Sequence, residues 1–249
     1  MKEASIRELR ELEDTYWWNV GKRELLLELA ARYFPPGGSD RVLEIGFGPG
    51  RTLKELSALY PFVYGVDVAD AAIGFSITHG LKLVAQADAE SGLPFRDRRF
   101  RLVVCADFLE HMQDDSAVLK EIHRVVEYGG GLIVNVPAYP SLYSNWDKAM
   151  GHKRRYSRKE LAERIETAGF EAIKLTCTNT FIFPVAIIMR KIKGLLLRGG
   201  QSGDYPSDFI PVPAALNSLL INMYRTERFL IRRMNLPFGL SIAAVAMKV

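Results

Sequence analysis

With only two cysteines in 249 residues, the chain is no disulfide-stapled scaffold. Cys105 and Cys177 both fall in apolar runs and read as buried free thiols of a reducing compartment. The four histidines and two cysteines show no metal-ligand spacing, so no metal is expected. Long apolar runs are missing as well. The apolar stretch Phe181–Met189 is nine residues, against the ~20 that a transmembrane helix needs. The first 14 residues carry eight charges and no apolar run, which argues against a secretory leader and for a cytoplasmic protein. No repeat or low-complexity tract is visible. A net charge of +4 is mild, and without a recognisable binding appendage no nucleic-acid partner is expected. The remaining composition, 48% hydrophobic and 25% charged, is that of an ordinary globule able to bury one core. The expectation is a single domain over 1–249.

The most informative stretch is Arg41-Val-Leu-Glu-Ile-Gly-Phe-Gly-Pro-Gly50, followed by Val-Tyr-Gly-Val-Asp67. It reads as a buried strand, a glycine turn, a helix from about Thr52, and a second strand ending in a carboxylate. Gly46, Gly48 and Gly50 let the backbone approach a ligand closely, because no Cβ intervenes. The following helix aims free N–H groups at the same place, which suits a carboxylate or phosphate. Asp67, 17 residues after Gly50, is placed to accept both hydroxyls of a ribose. A dinucleotide site wants G-x-G-x-x-G/A, but the sixth position from Gly46 is the large, charged Arg51.

The spacing E-x-G-x-G-x-G instead resembles motif I of the class I S-adenosylmethionine-dependent methyltransferases. Two later segments fit the same resemblance. Leu83–Ala89 ends in Asp88 beside Ala89, and Phe100–His111 reads as a buried strand through Cys105 that opens onto Glu110-His111. The resemblance implies an α/β fold: a Rossmann-like, doubly wound, seven-stranded, mostly parallel sheet with an antiparallel last strand inserted between two others. It also implies S-adenosyl-L-methionine as cofactor and S-adenosyl-L-homocysteine as product. Glu44, Gly46, Gly48 and Gly50 would border the methionine part, with Asp67 on the ribose. Asp88 and the Ala89 N–H would meet the adenine, and Cys105 would lie near the cofactor.

N-terminal helices are expected within 1–34 (Ala4–Asp14 and Lys22–Tyr33), with the Rossmann-like body over 41–177. Within the body, a helix is expected over Leu119–Val126. Gly129–Gly131 breaks it before the strand Leu132–Val136. The tail 240–249 reads as the last strand. Between body and tail lies an insertion of 62 residues, 178–239, longer than the family's minimal form needs. It reads as an apolar helix, Phe181–Leu197, a Gly/Ser/Asp/Pro loop, Gly199–Pro213, and a second helix, Ala214–Arg233. Two readings of it stay open. It is a lid or homodimer contact, or it is a peripheral membrane patch through 181–197, with Arg225, Arg228, Arg232 and Arg233 meeting anionic head groups.

The acceptor loop is expected after Val136. No N-P-P-Y-type motif is present, which sets aside amino methylation of a base or glutamine. Pro137-x-x-Pro-Ser-Leu-Tyr143…Asp147…Gly151-His-Lys-Arg-Arg-Tyr156 is similar to a bacterial and archaeal small-molecule group. That group shares the tryptophan pair, Trp17 and Trp18, and a late apolar insertion. His152 is the candidate general base, since an unperturbed imidazole pKa near ~6.5 leaves it mostly neutral; the alternative is a loop-ordering hydrogen bond. Tyr156 and Tyr143 are candidates to polarise the acceptor, or else they pack. Arg154 and Arg155 suit a phosphate or carboxylate, or else form a solvated cluster. Trp17 and Trp18 would cover the cofactor or acceptor, or else anchor their helix. His111 reads as structural. The expected acceptor is a small, amphiphilic or lipid-linked molecule, methylated at oxygen or carbon ahead of nitrogen. RNA or protein methylation and a non-catalytic cofactor-binding scaffold are the alternatives.

Overall fold

A computed structural model describes residues 3–196 and 212–249. Helices α1 (Glu3–Leu12) and α2 (Trp17–Tyr33) precede β1 (Arg41–Ile45), α3 (Arg51–Leu59), β2 (Phe62–Asp67), α4 (Asp70–Thr78) and β3 (Val84–Gln86). The chain continues through β4 (Phe100–Ala106), α5 (Asp115–Val125), β5 (Val126–Pro137), α6 (Asn145–Met150), α7 (Arg158–Thr167) and β6 (Phe170–Thr178). Helices α8 (Phe183–Leu196) and α9 (Ala214–Ile231) and strand β7 (Ser241–Lys248) complete it. The seven strands form one sheet in the order β3-β2-β1-β4-β5-β7-β6. Strands β1 to β5 run parallel, and β7 pairs antiparallel with both β5 and β6. This is the expected Rossmann-like methyltransferase fold. The strand order reverses between β1 and β4, where sheets of this kind open a crevice at their carboxyl ends.

Alternating side chains divide the core into two layers, as the two-residue period of a strand requires. Leu43, Ile45, Val103, Cys105, Leu132 and Val134 face one side, against Val118, Leu119 and Ile122 of α5 and Leu161 and Ile165 of α7. Val42, Leu102, Val104, Ile133 and Val245 face the other, against Leu25, Leu26 and Leu29 of α2 and Leu53 and Leu56 of α3. Burying each such leucine contributes about 1.5–3 kcal/mol.

Two element boundaries depart from expectation. Helix α2 begins at Trp17, so both tryptophans are helical. The Asn217 side chain accepts from the Trp17 N–H (2.9 Å) and donates to the Thr15 carbonyl, so α9 fixes the start of α2. Gly129–Gly131 lies inside β5 rather than breaking a helix. Any β-carbon on Gly131 would collide with the Phe34 ring and the Ala246 carbonyl, and one on Gly130 would stand 2.7 Å from the Arg101 carbonyl oxygen. The triplet is there for close packing, which single-chain periodicity does not show.

Helix α9 lies along α2 through ion pairs. Arg225 binds Glu24, Arg228 bridges Glu24 and Glu28 at 3.0 Å each, and Arg232 binds Glu28. Arg233 stacks 4.0 Å above the Phe229 ring. Three of the four arginines expected at lipid head groups are therefore engaged by α2. The loop expected at Gly199–Pro213 lies outside the described residues up to position 211. Among the described residues, no helix is long and apolar enough to cross a membrane.

Candidate active site

The loop after β1 carries Gly46, Gly48 and Gly50 at φ of 72°, 54° and 95°, left-handed conformations that favour glycine. A β-carbon on Gly46 would stand 2.5 Å from the Phe108 ring, whereas at Gly48 it would meet nothing within 4 Å. Gly46 is thus required by packing, and Gly48 leaves open space beside the backbone. Asp67, at the end of β2, accepts from the Gly48 and Ala69 N–H groups, each at 2.9 Å. Glu44 is buried next to this loop, and its Oε2 has no hydrogen-bond partner. Burial pushes its carboxyl up to about 8; Lys22 opposes the shift and Asp67 adds to it. An ammonium group would satisfy that orphan oxygen. The open face at Gly48, the carboxylate of Asp67 and the unpartnered Glu44 together fit the three parts of S-adenosylmethionine they would meet: main chain, ribose and amino group.

Beyond β4 the chain is held more tightly. Asp107 takes a left-handed φ of 49°. Its carboxylate pairs with Lys22 of α2 and accepts from Asn135 Nδ2 at 2.9 Å. Burial works against that charge, but Lys22 and Asn135 outweigh it and hold the carboxyl below its usual range. Glu110 follows in a short 3-10 turn, wholly buried, and neither carboxylate oxygen has a partner. Burial, reinforced by the Asp107 charge, raises its pKa well above the ordinary value. Two histidines stand beside it, with His111 and His152 ring centroids 4.8 Å apart. His152 Nε2 is 4.0 Å from Glu110 Oε1, and its Nδ1 is 3.1 Å from Asp147 Oδ1. Asp147 also accepts from Arg155 Nε at 2.7 Å. The Lys153 N–H donates to the Glu110 carbonyl at 2.7 Å, which ties the two loops together.

The structure separates the other expected residues by role. His152 is 8% exposed and lies in the cluster, whereas Tyr156 is 0% exposed and donates to Asp115 Oδ2 at 2.6 Å. Tyr156 is a core residue whose hydroxyl is already paired, so the catalytic role expected for it is withdrawn. Arg155 is equally committed to Asp147, and Arg154 binds Asp115 Oδ1 and the Met112 and Gln113 carbonyls. Neither arginine is free to take an anionic substrate group, because each neutralises a buried carboxylate. Tyr143 donates to the His152 carbonyl at 2.8 Å, ordering that loop. Cys105 points into the core layer, where burial raises its thiol pKa, so its side chain contacts no ligand. Asp88 is exposed at the end of β3 and accepts from the Glu90 N–H and the Ser91 hydroxyl, with Ala89 buried beside it. Trp17 is buried with its ring against Trp18 at 5.3 Å, on the side of α2 that meets α9.

Sequence reasoning missed Lys22, Asp107, Asp147 and Glu110 as site residues. Their proximity spans up to 85 residues of chain, and only the Glu110-His111 pair was readable locally.

Residues 43–134 match the family model described as "Methyltransferase domain". The chain is 27% identical over 159 residues to an uncharacterised protein of Methanocaldococcus jannaschii, across 61% of this chain and 73% of that one. It is 28% identical over 165 residues to a "probable S-adenosylmethionine-dependent methyltransferase" of Mycolicibacterium smegmatis, across 64% and 61%. A ubiquinone biosynthesis O-methyltransferase of Pseudomonas syringae is 30% identical over 95 residues, 36% of this chain and 41% of that protein. The chain thus spans less than two thirds of the latter two relatives. Phosphoethanolamine N-methyltransferase 2 of Haemonchus contortus, solved with S-adenosyl-L-methionine, shares the fold at a TM-score of 0.62 and 17% identity, over 99% of this chain and 57% of that one. Fold, glycine loop and family match converge: the chain carries a class I S-adenosylmethionine-dependent methyltransferase domain, with S-adenosylmethionine as its cofactor.

Proposed function

We propose that this methyltransferase acts on a hydroxyl group of a small amphiphilic acceptor. The observation that carries the reading is the convergence of Glu110, His111 and His152 at the carboxyl end of β4, beside the glycine loop. When bound, S-adenosylmethionine supplies a methyl group on a positively charged sulfur, which passes to the acceptor oxygen as the acceptor loses its proton and the sulfur leaves as a neutral thioether. The chain's own work is to hold the cofactor, place the acceptor and receive that proton. Gly46, Gly48 and Gly50 with Glu44 would border the amino-acid end of the cofactor. Asp67 would take the ribose, and Asp88 with the Ala89 N–H the base. The proton falls to the Glu110–His111–His152 cluster, in which Glu110 and His152 are buried and His111 partly so.

The amphiphilic character is supported by the insertion. Val185, Ile188 and Met189 of α8 and Leu216 and Leu219 of α9 are between 45% and 58% exposed, so both helices present large apolar side chains to solvent. Phe183, at the start of α8, stacks 5.3 Å from Tyr139 just beyond β5, so this apolar face is continuous with the acceptor loop. Such a face suits an acyl or isoprenoid tail, or peripheral contact with the inner face of a membrane. The Pseudomonas syringae relative is a ubiquinone biosynthesis O-methyltransferase, which supports the same reading.

The test is transfer of labelled methyl from S-adenosylmethionine into fractionated cell extract. Label is expected in an organic-phase product and should stay with it through mild acid and base, as a methyl ether does. Label confined to RNA, protein or water-soluble compounds would sink the amphiphilic reading, and binding of S-adenosylhomocysteine with no transfer at all would favour a non-catalytic scaffold.

A further inference from the structure

We propose that Glu110, His111 and His152 form a binding site for one divalent first-row transition-metal ion. One ligand atom of each residue lies within 4.8 Å of the other two. The hydrogen bonds around the cluster decide what those atoms are. His111 Nδ1 lies 3.2 Å from the Gly151 carbonyl, which can only accept, so that nitrogen carries the proton and Nε2 keeps its lone pair. His152 Nδ1 lies 3.1 Å from Asp147 Oδ1, an oxygen that also accepts from Arg155 Nε at 2.7 Å. With Nδ1 turned to that carboxylate, the other ring nitrogen of His152, Nε2, is the one that faces Glu110. Glu110 adds a wholly buried carboxylate with neither oxygen partnered.

Two imidazoles and one carboxyl group thus converge, and neither oxygen of Glu110 has a hydrogen-bond partner. The 4.0 Å between His152 Nε2 and Glu110 Oε1 is too long for a hydrogen bond, so these groups do not satisfy one another directly, and an entering ion would displace any proton on the carboxyl. A cation satisfies all three at once. The outer bonds are those found behind metal ligands: one imidazole is oriented by a carbonyl, the other by a carboxylate that is itself fixed by arginine. Two imidazoles and one carboxylate suit a borderline cation such as Zn²⁺, Mn²⁺, Fe²⁺ or Co²⁺, and three protein ligands leave coordination positions open. Metal–ligand bonds of about 2.0–2.2 Å place ligand atoms roughly 3–3.5 Å apart, so the triangle closes by about 1 Å as the ion enters. Where the proposed oxygen acceptor is correct, the open positions hold its hydroxyl and lower its pKa, and His152 acts as ligand rather than as direct base.

Binding is tested on the whole chain with metal alone, without cofactor or acceptor. Titration with Co²⁺ should give visible d–d absorption saturating at one equivalent. Pulsed EPR of the Cu²⁺-loaded wild type should show two coordinated imidazoles. Glu110→Gln and His111→Ala should each weaken Co²⁺ binding at least tenfold while leaving the thermal shift with S-adenosylhomocysteine in place. No saturable absorption, fewer than two imidazoles, or unchanged affinity in both variants would overturn the site. The imidazole count needs no variant, so misfolding of a mutant leaves the question decided. The thioether shift reads the cofactor site separately: metal binding without it would leave the ion standing and the methyltransferase assignment in trouble, and the reverse pattern would remove only the metal.

Discussion

The two halves of the crevice are built on different principles. The half formed by β1, β2 and β3 is shaped by backbone: positive-φ glycines, an open face at Gly48, and one carboxylate accepting from two main-chain N–H groups. The half formed beyond β4 and β5 is shaped by buried side chains that charge one another: Asp107 with Lys22, Asp147 with Arg155 and His152, Asp115 with Arg154 and Arg164. A backbone cradle recognises what every member of the family shares. A side-chain lattice can be re-specified residue by residue, as an enzyme's acceptor side requires. Breaking each half should therefore have a different signature.

The largest effect is expected at Asp147, in the side-chain half. It is 0% exposed and Arg155 only 4%, so Asp147→Ala leaves a buried cation without its partner, a change that costs about 3–5 kcal/mol. Chemical denaturation at pH 7 measures this. The sign of its pH dependence follows from a folded pKa of about 2, below the ordinary aspartate value of 3.8. The ion pair stabilises fully above pH ~4 and is lost as pH falls toward 2, so the gap between wild type and variant should close there.

The backbone half predicts loss of binding with little loss of fold. Asp67→Ala removes two charge-assisted hydrogen bonds that a ribose would make, about 3 kcal/mol or more, so S-adenosylhomocysteine affinity should fall about 100-fold. Isothermal titration checks it. A fall in stability as large as that of Asp147→Ala, with affinity retained, would erase the contrast between the halves.

The same contrast explains what was legible in the sequence. Glu44, Gly46, Gly48, Gly50 and Asp67 lie within one strand–turn–helix–strand unit, where spacing alone carries the pattern. The mostly parallel seven-stranded sheet and the antiparallel insertion of β7 followed from recognising that unit, and the structure bears both out. The side-chain half was not legible in this way. Nothing near Tyr156 announces that its hydroxyl faces Asp115, 41 residues earlier, nor does Arg155 announce a buried partner in Asp147. Arginines that looked like anion receptors are therefore internal counter-ions. The glycine triplet of β5 failed for a related reason: the Phe34 ring that requires it is almost a hundred residues away.

A third, smaller effect belongs to the insertion. Glu227 of α9 is buried and accepts from the Asn179 and Thr180 N–H groups at 2.5 and 2.6 Å, just ahead of α8. Burial raises its carboxyl to about 7, although those N–H groups oppose the shift. The folded chain then binds an extra proton between the ordinary glutamate value of 4.5 and about 7, so its stability falls as pH rises across that window. Glu227→Gln should flatten the slope by on the order of 1–2 kcal/mol, read from urea unfolding at pH 5 and 7. An unchanged slope would mean that Glu227 titrates as an ordinary surface carboxylate.

The smallest effect should come from Arg225, and its smallness is the point. Its side chain is 50% exposed, and its pair with Glu24 joins α9 to α2 at the surface. Water screens that attraction, and Glu24 keeps Arg228 at 3.0 Å when Arg225 is removed. Arg225→Ala should therefore cost about 0–1 kcal/mol, a difference that shrinks further in 0.5 M salt. The buried pair at Asp147 has no such screening and should lose most of its stability increment only to acid, not to salt. Measuring both variants at low and high ionic strength separates the two kinds of charge. Equal salt sensitivity would show that the lattice beyond β4 is hydrated, and a hydrated lattice could not keep the lone pairs of Glu110, His111 and His152 dry.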